Sequence, residues 1–204
     1  VEGDLNGNRT FAAMDIVSNA SDLTGRLLIA MPGMGDPRFE QAVVYLCAHS
    51  DEGAMGLIVN KPSSDVTMEG LMQQLSLSAD PELGARSVHF GGPVEMGRGF
   101  VLHSPDYKSE LTTLEVDETF HMTGTLDVLE HISRGDGPSN WMAMLGYAGW
   151  GPGQLEDELT QNAWLVSEGL PEIVFATPDF GKWEAALNSL GIAAHLLSAE
   201  GGSA

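Results

Sequence analysis

Residues 25–62, GRLLIAMPGMGDPRFEQAVVYLCAHSDEGAMGLIVNKP, decide the fold that we predict for this chain. They contain three short apolar runs, at residues 26–31, 42–48 and 54–60, and each run is followed by turn-forming residues. Runs of this length with such boundaries are typical of buried strands. We therefore predict one strand before the Pro/Gly loop at residues 32–35, and a hairpin of two strands after it.

The middle of this stretch carries a helix start and the single cysteine. Asp36 and Pro37 predict a short helix, because Asp caps a helix N-terminus and proline fits the first helical position. In the following strand, alternation places Cys47 and His49 on one face, where the geometry allows a thiolate–imidazole pair. The alternative is that Cys47 is a small core side chain and His49 ends the strand, and we favour this second interpretation.

The rest of the chain predicts short strands interrupted by helices. Strands are predicted at residues 87–90, 99–103, 111–116, 118–122, 141–147, 163–166, 172–176 and 192–197. Helices are predicted at residues 66–75, 125–133, 154–162 and 180–190. Residues 87–103 and 111–122 are each predicted to be a hairpin, the first around a Gly/Pro turn. Strands paired mainly as hairpins indicate an α+β fold with a mixed, mostly antiparallel sheet.

The length of 204 residues suits a single domain with a sizeable core. We predict the domain at residues 25–198 and a flexible tail at residues 199–204. Residues 1–24 are polar, and we predict that this extension is partly disordered or docks as a helix. The lack of a long apolar run and of a secretory signal, together with the single cysteine, indicates a cytoplasmic protein.

Charge restricts the partners of this chain. Its 29 Asp and Glu residues outnumber 9 Lys and Arg residues, which gives a formal net charge of −20. No two basic residues stand within one helical turn of each other in the sequence. Because duplex DNA requires clustered cations, the composition disfavours direct nucleic-acid binding and indicates an acidic, solvated surface.

Common catalytic and cofactor motifs are missing from the sequence. It contains no GxSxG, HExxH, CxxC, Rossmann or EF-hand pattern. Cys47 and His49 supply two zinc ligands where a stable site needs three or four, and neither His89 nor His103 adds a known metal spacing. We therefore predict no metal and no cofactor, and we favour a role other than catalysis.

Two glycine-rich segments allow either a ligand loop or a tight turn. Residues 91–99 lack the phosphate-loop pattern, so we favour glycines that satisfy turn dihedrals. Residues 149–153 lead into the helix that begins at Gln154, an arrangement that can hold phosphate at a helix N-terminus. Acidic residues 156–158 oppose a phosphate there, so we favour helix capping.

Four stretches, taken together in their order, resemble the AlgH/YqgE family of bacterial proteins, whose members are often called transcriptional regulators. The stretches are PGMGDPRFEQAVVYLCAHSDEGAMGLIVNKP at residues 32–62, HFGGPVEMGRGFVLH at residues 89–103, GYAGWGPGQLEDEL at residues 146–159 and NAWL at residues 162–165. The similarity extends from about residue 25 to about residue 197. It implies a curved, barrel-like sheet flanked by helices and a regulatory role.

Two classes of function remain open at this point. The first is a regulatory protein that acts through protein or small-molecule contacts rather than on DNA. The alternative is a small-molecule-binding protein or enzyme with a site that contains Cys and His. If the fold forms a pocket, we expect polar residues of the loops and strand ends to line it. The candidates are Cys47, His49, Asn60, Lys61, Gly92, His103 and Gln154.

Overall fold

The computed structural model of the chain describes residues 22–197. The strands are β1 (Arg26–Ala30), β2 (Val43–Ser50), β3 (Gly53–Ile58), β4 (Pro62–Thr67), β5 (Ser87–Phe90), β6 (Val94–His103), β7 (Leu114–Glu115), β8 (His121–Thr123), β9 (Trp141–Trp150) and β10 (Trp164–Glu168). The helices are α1 (Met68–Gln74), α2 (Pro81–Gly84), α3 (Asp127–Arg134), α4 (Gln154–Thr160) and α5 (Asp179–Ser189). Pro37–Phe39 and Ala194–Leu196 form 3₁₀ turns, and Glu172–Ala176 forms a π-helical turn.

The ten strands form one strongly curled sheet in the shape of a half-barrel. Its order is β10-β1-β2-β3-β9-β6-β8-β7, with β5 beside β9 and β4 beside β5. Every pairing is antiparallel except that of β5 with β9. The predicted α+β class and mostly antiparallel, curved sheet are confirmed.

The alternation of β2 divides the core between the two faces of the sheet. Tyr45 packs on the face that α5 covers, in one cluster with Leu187 of that helix. Leu46 packs on the opposite face, in a cluster with Leu155 of α4. A third cluster fills the space between α1, α3 and the β6–β9 pair. The helices α1, α3, α4 and α5 therefore each bury apolar residues against the sheet, as amphipathic helices do in a layered domain.

Local chain signals act as the sequence predicts at several helix ends. The carboxylate of Asp36 accepts a hydrogen bond from the backbone N–H of Arg38 at the 3₁₀ turn. The helix α3 ends at Gly135, whose φ of 83° is the left-handed conformation that glycine adopts readily. The helix predicted at residues 66–75 begins at Met68, because Thr67 caps it after a strand that the sequence did not reveal.

Three predicted strand features are wrong. β5 and β6 do not form a hairpin, because β9 lies between them and pairs with both. Residues 172–176 form a π-helical turn that buries Ile173 and Val174, although their β-branched side chains favour a strand. Residues 192–197 contain a 3₁₀ turn instead of a closing strand. Short apolar runs do not distinguish a buried strand from a buried helical turn.

The ends of the chain are outside the described residues. The predicted tail at residues 199–204 and residues 1–21 of the predicted N-terminal extension both lie outside them. Between residues 22 and 197, no helix has the length and apolar character needed to cross a membrane.

Candidate functional site

The sheet separates Cys47 from His49. The pairing of β2 with β3 shifts between Leu46 and Ala48, which makes Cys47 the extra residue of a β-bulge. Cys47 packs in the cluster beneath α5, whereas the Nε2 atom of His49 lies 2.7 Å from Glu156 Oε1 of α4 on the other side. The prediction that the two side chains share a face is wrong, because a bulge reverses the alternation and leaves no mark in the sequence.

The thiol of Cys47 is not arranged for chemistry. The residue is 2% exposed, and burial raises the pKa of its thiol. A nucleophilic cysteine requires the opposite, an accessible thiol with a lowered pKa. The structure therefore gives Cys47 the role of a small core side chain.

Asn60 and Lys61 fasten the end of β3 to the loop before β2. The side-chain oxygen of Asn60 accepts a hydrogen bond from the backbone N–H of Val43 at 2.9 Å, and its amide nitrogen donates to Gln41 O at 2.8 Å. The Lys61 ammonium group donates to the backbone oxygen of Glu40. Both polar side chains thus complete backbone hydrogen bonding at a strand end.

Gly92 and His103 also have roles in packing. A side chain at Gly92 would place its Cβ atom 2.0 Å from the backbone carbon of Tyr147, so β9 requires glycine at this position. His103 is fully buried, and its Nε2 atom lies 2.8 Å from the hydroxyl of Thr123. Among the seven residues that the sequence singled out, Gln154 and His49 are the two that line a described cavity or groove.

The cavity that Gln154 lines has a volume of about 940 Å³. Its walls are the loop at residues 31–39, Pro93, the end of β9, the helix α4 and residues 161–164. We call it the tryptophan cavity, because Trp150 and Trp164 both line it. All four stretches that carry the family resemblance contribute to its walls, although they are far apart in the sequence.

A carboxylate holds the two indole rings of this cavity in place. Glu158 Oε2 accepts hydrogen bonds from the indole nitrogens of Trp150, at 2.9 Å, and Trp164, at 2.7 Å. Gln154 Nε2 donates to Glu158 Oε1 at 3.1 Å. The rings meet edge to face with their centroids 6.0 Å apart. A buried indole N–H needs such a partner, and the shared carboxylate fixes both rings at once.

Contacts at the start of the helix α4 fix the position from which Glu158 reaches the cavity. Gly153 precedes the helix with a φ of 74°, a conformation that favours glycine. Gln154 Oε1 accepts a hydrogen bond from the backbone N–H of Gly151, and Leu155 is buried in the core. One turn later, Glu158 reaches the indoles from a backbone that these contacts have already placed.

The rim of the cavity carries an ion pair. Arg38 Nη2 lies 2.7 Å from Asp36 Oδ2, and the hydrogen bonds from this guanidinium group lower the pKa of Asp36. Phe39, the next residue, meets the Trp164 ring edge to face with 5.8 Å between centroids. Asp36, Arg38 and Glu158 are the charged residues of the lining, so the cavity carries one net negative charge.

The sequence analysis missed the role of Glu158 and did not identify the two tryptophans as part of a site. The sequence predicts Glu158 as a helix-capping charge, whereas its carboxylate accepts hydrogen bonds from two indoles. Trp150 and Trp164 are both buried, and they also form part of the cavity wall. A usable signal was the concentration of tryptophan and acidic residues in residues 150–164. Across residues 22–197, His, Cys, Asp and Glu side chains form no group of three that could hold a metal ion.

Comparison with known sequences finds relatives along most of the chain. A model of the AlgH-like family matches residues 27–195. A UPF0301 protein of Ruegeria pomeroyi is 59% identical over 184 residues, which span 90% of this chain and 100% of that protein. A UPF0301 protein of Cereibacter sphaeroides is 52% identical over 183 residues, with coverage of 90% and 100%.

Comparison with solved structures finds the same architecture. The solution structure of the AlgH protein from Pseudomonas aeruginosa has a TM-score of 0.74 and 41% identity, over 90% of this chain and 97% of that one. The crystal structure of protein DIP2367 from Corynebacterium diphtheriae has a TM-score of 0.65 and 19% identity, over 81% and 86% of the two chains. At that identity the second likeness shows the fold alone.

Proposed function

We propose that this chain, which belongs to the AlgH-like family, is a small-molecule-binding protein whose ligand occupies the tryptophan cavity. Family membership confirms the resemblance that the four sequence stretches indicate. The observation that supports the proposal is the convergence of those stretches on one cavity. A volume of about 940 Å³ is within the range of small-molecule sites, which are concave and carry a few placed polar groups on apolar walls.

The lining defines the class of ligand. Trp150, Trp164 and Phe39 provide aromatic surface for a flat ring. Glu158 Oε1 has one hydrogen-bond donor, Gln154, and a carboxylate oxygen can accept a second. The net negative charge of the lining favours a donor group or a cation on the ligand. We therefore propose a small molecule with a flat apolar ring and an amino group, which is attracted to Glu158.

A role without catalysis agrees better with this cavity than an enzyme with a Cys/His site does. Cys47 is in the core, and His49 faces α4 instead of the thiol. No residue of the lining is a cysteine or a histidine. In a regulatory protein, a ligand in the cavity would favour one arrangement of the loop at residues 31–39. A protein partner would then bind that arrangement of the loop in preference to the others.

Binding of phenethylamine and phenylacetate tests this proposal. The two probes share a phenyl ring and differ in the sign of their charge. We expect phenethylamine to quench or shift the tryptophan fluorescence saturably and to bind more tightly than phenylacetate. The substitution Glu158→Gln removes the charge while keeping hydrogen-bonding atoms in place. It should weaken phenethylamine binding about tenfold or more, as expected for loss of a charge-assisted contact.

Glu184→Gln provides the matched control for this experiment. Glu184 is an exposed glutamate on α5 and lines none of the described cavities, so its loss changes the net charge equally without touching the site. Binding of phenethylamine should be unchanged in this variant. A preference for phenylacetate, or equal losses in the two variants, would show that the cavity does not select a cationic ligand.

A further inference from the structure

A second group of charged side chains is buried beneath the start of α5. Asp179 Oδ2 accepts a hydrogen bond from His89 Nε2, and Asp179 Oδ1 accepts one from Lys182 Nζ, each at 2.9 Å. Lys182 is 3% exposed and also donates to the backbone oxygen of Val59 at 2.8 Å. Charged groups are rarely buried unless they are paired, and a buried cluster of this kind marks a candidate site.

This cluster faces a cavity of about 260 Å³ that is separate from the tryptophan cavity. Arg86, His89, Asp179 and Lys182 contribute to its lining, together with the segment at residues 174–178. The Arg86 guanidinium group stacks on the Trp141 ring at 3.8 Å and donates one hydrogen bond to Trp141 O at 2.8 Å. No carboxylate among residues 22–197 lies within ion-pair distance of Arg86, which leaves donors available to a ligand. Burial lowers the pKa of Arg86, and the more distant charge of Glu82 opposes this shift.

The sign of the charge in this cavity is opposite to that of the protein. Arg86 and Lys182 oppose the single carboxylate of Asp179, so the lining carries at least one net positive charge in a chain whose formal net charge is −20. The first turn of α5 also points its backbone N–H groups at this end of the helix, a direction that favours anions. The positive charge is therefore a local property of this cavity and not of the chain as a whole.

The hydrogen bonding of the buried His89 side chain is incomplete. Its Nε2 atom bonds Asp179, but its Nδ1 atom is buried without a hydrogen-bond partner among residues 22–197. An unpaired buried nitrogen costs free energy, and each such atom in a native structure calls for an explanation, such as a bound ion or water.

We propose that this cavity is a second ligand site, which binds a small oxyanion, a carboxylate or a phosphate group, with Arg86 as its principal contact. A guanidinium group held flat against an indole ring presents its donors in the planar arrangement that matches an oxyanion. Asp179 and Lys182 position His89 and keep the pocket polar. The proposal does not depend on the ligand of the tryptophan cavity, because the two sites favour opposite charges.

Titration of the full chain with sodium phosphate, sodium acetate and sodium chloride at equal ionic strength tests this site. We expect saturable changes in the imidazole NMR signals of His89 and the indole signal of Trp141 with phosphate, acetate or both. Saturation by phosphate alone assigns a phosphate group, and saturation by acetate alone assigns a carboxylate. Chloride should produce only small, non-saturating shifts. The absence of saturation with both oxyanions at millimolar concentrations would overturn the proposal.

Two arginine variants distinguish a specific oxyanion site from general electrostatic attraction to the protein. Arg86→Gln keeps a donor for Trp141 O and removes the charge, so we expect binding to weaken about tenfold or more. Arg98 is the matched control, because its guanidinium group also lies over an aromatic ring, that of Phe100, outside this cavity. Arg98→Gln should bind normally. Equal weakening in Arg86→Gln and Arg98→Gln would contradict the proposal.

Discussion

His103 is the middle member of a buried chain of hydrogen bonds. Its Nδ1–H donates to the backbone oxygen of Ser104 at 2.8 Å, so in the neutral ring Nε2 accepts from the Thr123 hydroxyl at 2.8 Å. The Thr123 hydroxyl lies 2.9 Å from that of Thr113, which continues the chain. Burial lowers the pKa of His103, and this effect outweighs the hydrogen bond to Ser104, which raises the pKa; the smaller contributions of His121 and Asp106 have opposite signs. The fold therefore selects the neutral imidazole in one tautomer.

We predict that His103 makes the protein less stable as the pH falls. Its folded pKa is below the reference value of 6.5, so only the unfolded chain gains a proton as the pH first drops through 6.5. The contribution is complete above that pH and is lost toward the lower folded pKa. His103→Gln should reduce stability at neutral pH by about 1–3 kcal/mol, because it disrupts a buried network. It should also flatten the decline between about pH 7 and about pH 5.

Urea denaturation across this pH range measures both effects for His103. The control is His195→Gln, which changes an exposed histidine outside the core. That variant should keep the slope of the parent protein. If His103→Gln retained the full decline, another group would be responsible for the loss of stability in acid.

At the scale of elements, the connection between β5 and β6 can cross over β9 only because glycines stand at the crossing. A Cβ atom at Gly91 would lie 2.3 Å from the backbone oxygen of Gly146, and one at Gly92 would lie 2.0 Å from the backbone carbon of Tyr147. These contacts are with backbone, which cannot move aside without disturbing β9. The glycines thus allow one strand to pair with β5 and β6 at the same time.

We predict that Gly92→Ala destabilises the protein by about 3 kcal/mol or more, because overpacking against backbone forces the connection away from β9. Gly97→Ala is the control from the same glycine-rich segment. A Cβ atom at Gly97 meets nothing within 4 Å, so this variant should change stability by less than about 1 kcal/mol. Guanidinium denaturation of the two variants compares them directly. Similar stability in both would mean that the connection relaxes easily.

The sequence predicts elements in this chain better than it predicts their partners. β5 begins and ends where its apolar run and the following glycines indicate, and the β2–β3 hairpin follows from the turn at residues 50–53. The insertion of β9 between β5 and β6 has no local signal, because a distant strand competes with the hairpin that the glycines favour. The bulge at Cys47 has no local signal either, since it depends on the register in which β2 pairs with β3.

At the scale of the whole molecule, the tryptophan cavity depends on the pairing of β1 with β10. The loop at residues 31–39 follows β1, whereas α4 and residues 161–164 precede β10, the antiparallel neighbour of β1. That pairing brings the two segments together at one end of the sheet. Gln154 could be selected from the sequence because it begins a helix after glycines. Arg38 and Glu158 could not, since their proximity to the cavity depends on the pairing of strands from opposite ends of the chain.

The whole-molecule charge leads to a last prediction, the absence of direct binding to duplex DNA. Five of the basic side chains in residues 22–197 are ion-paired with carboxylates, which removes much of their attraction for phosphate. They are Arg26, Arg38, Arg98, Lys108 and Lys182. Arg86 is the basic residue in the lining of its cavity that has no ion pair among the described residues, and one such cation does not form the cluster that duplex DNA requires. With a net charge of −20, the remaining cations cannot offset the repulsion of a polyanion.

Gel-shift titrations with random-sequence duplex DNA at low and at moderate salt test this prediction. We expect no retarded band at low salt, where attraction to phosphates is strongest and screening is weakest. A basic DNA-binding protein in parallel lanes establishes that the assay detects salt-sensitive complexes. Binding that weakens steeply as salt is added would require counterion release from a cationic surface. Such a result would place that surface outside the described residues or in another arrangement of them, and a regulatory role would then be exerted on DNA itself.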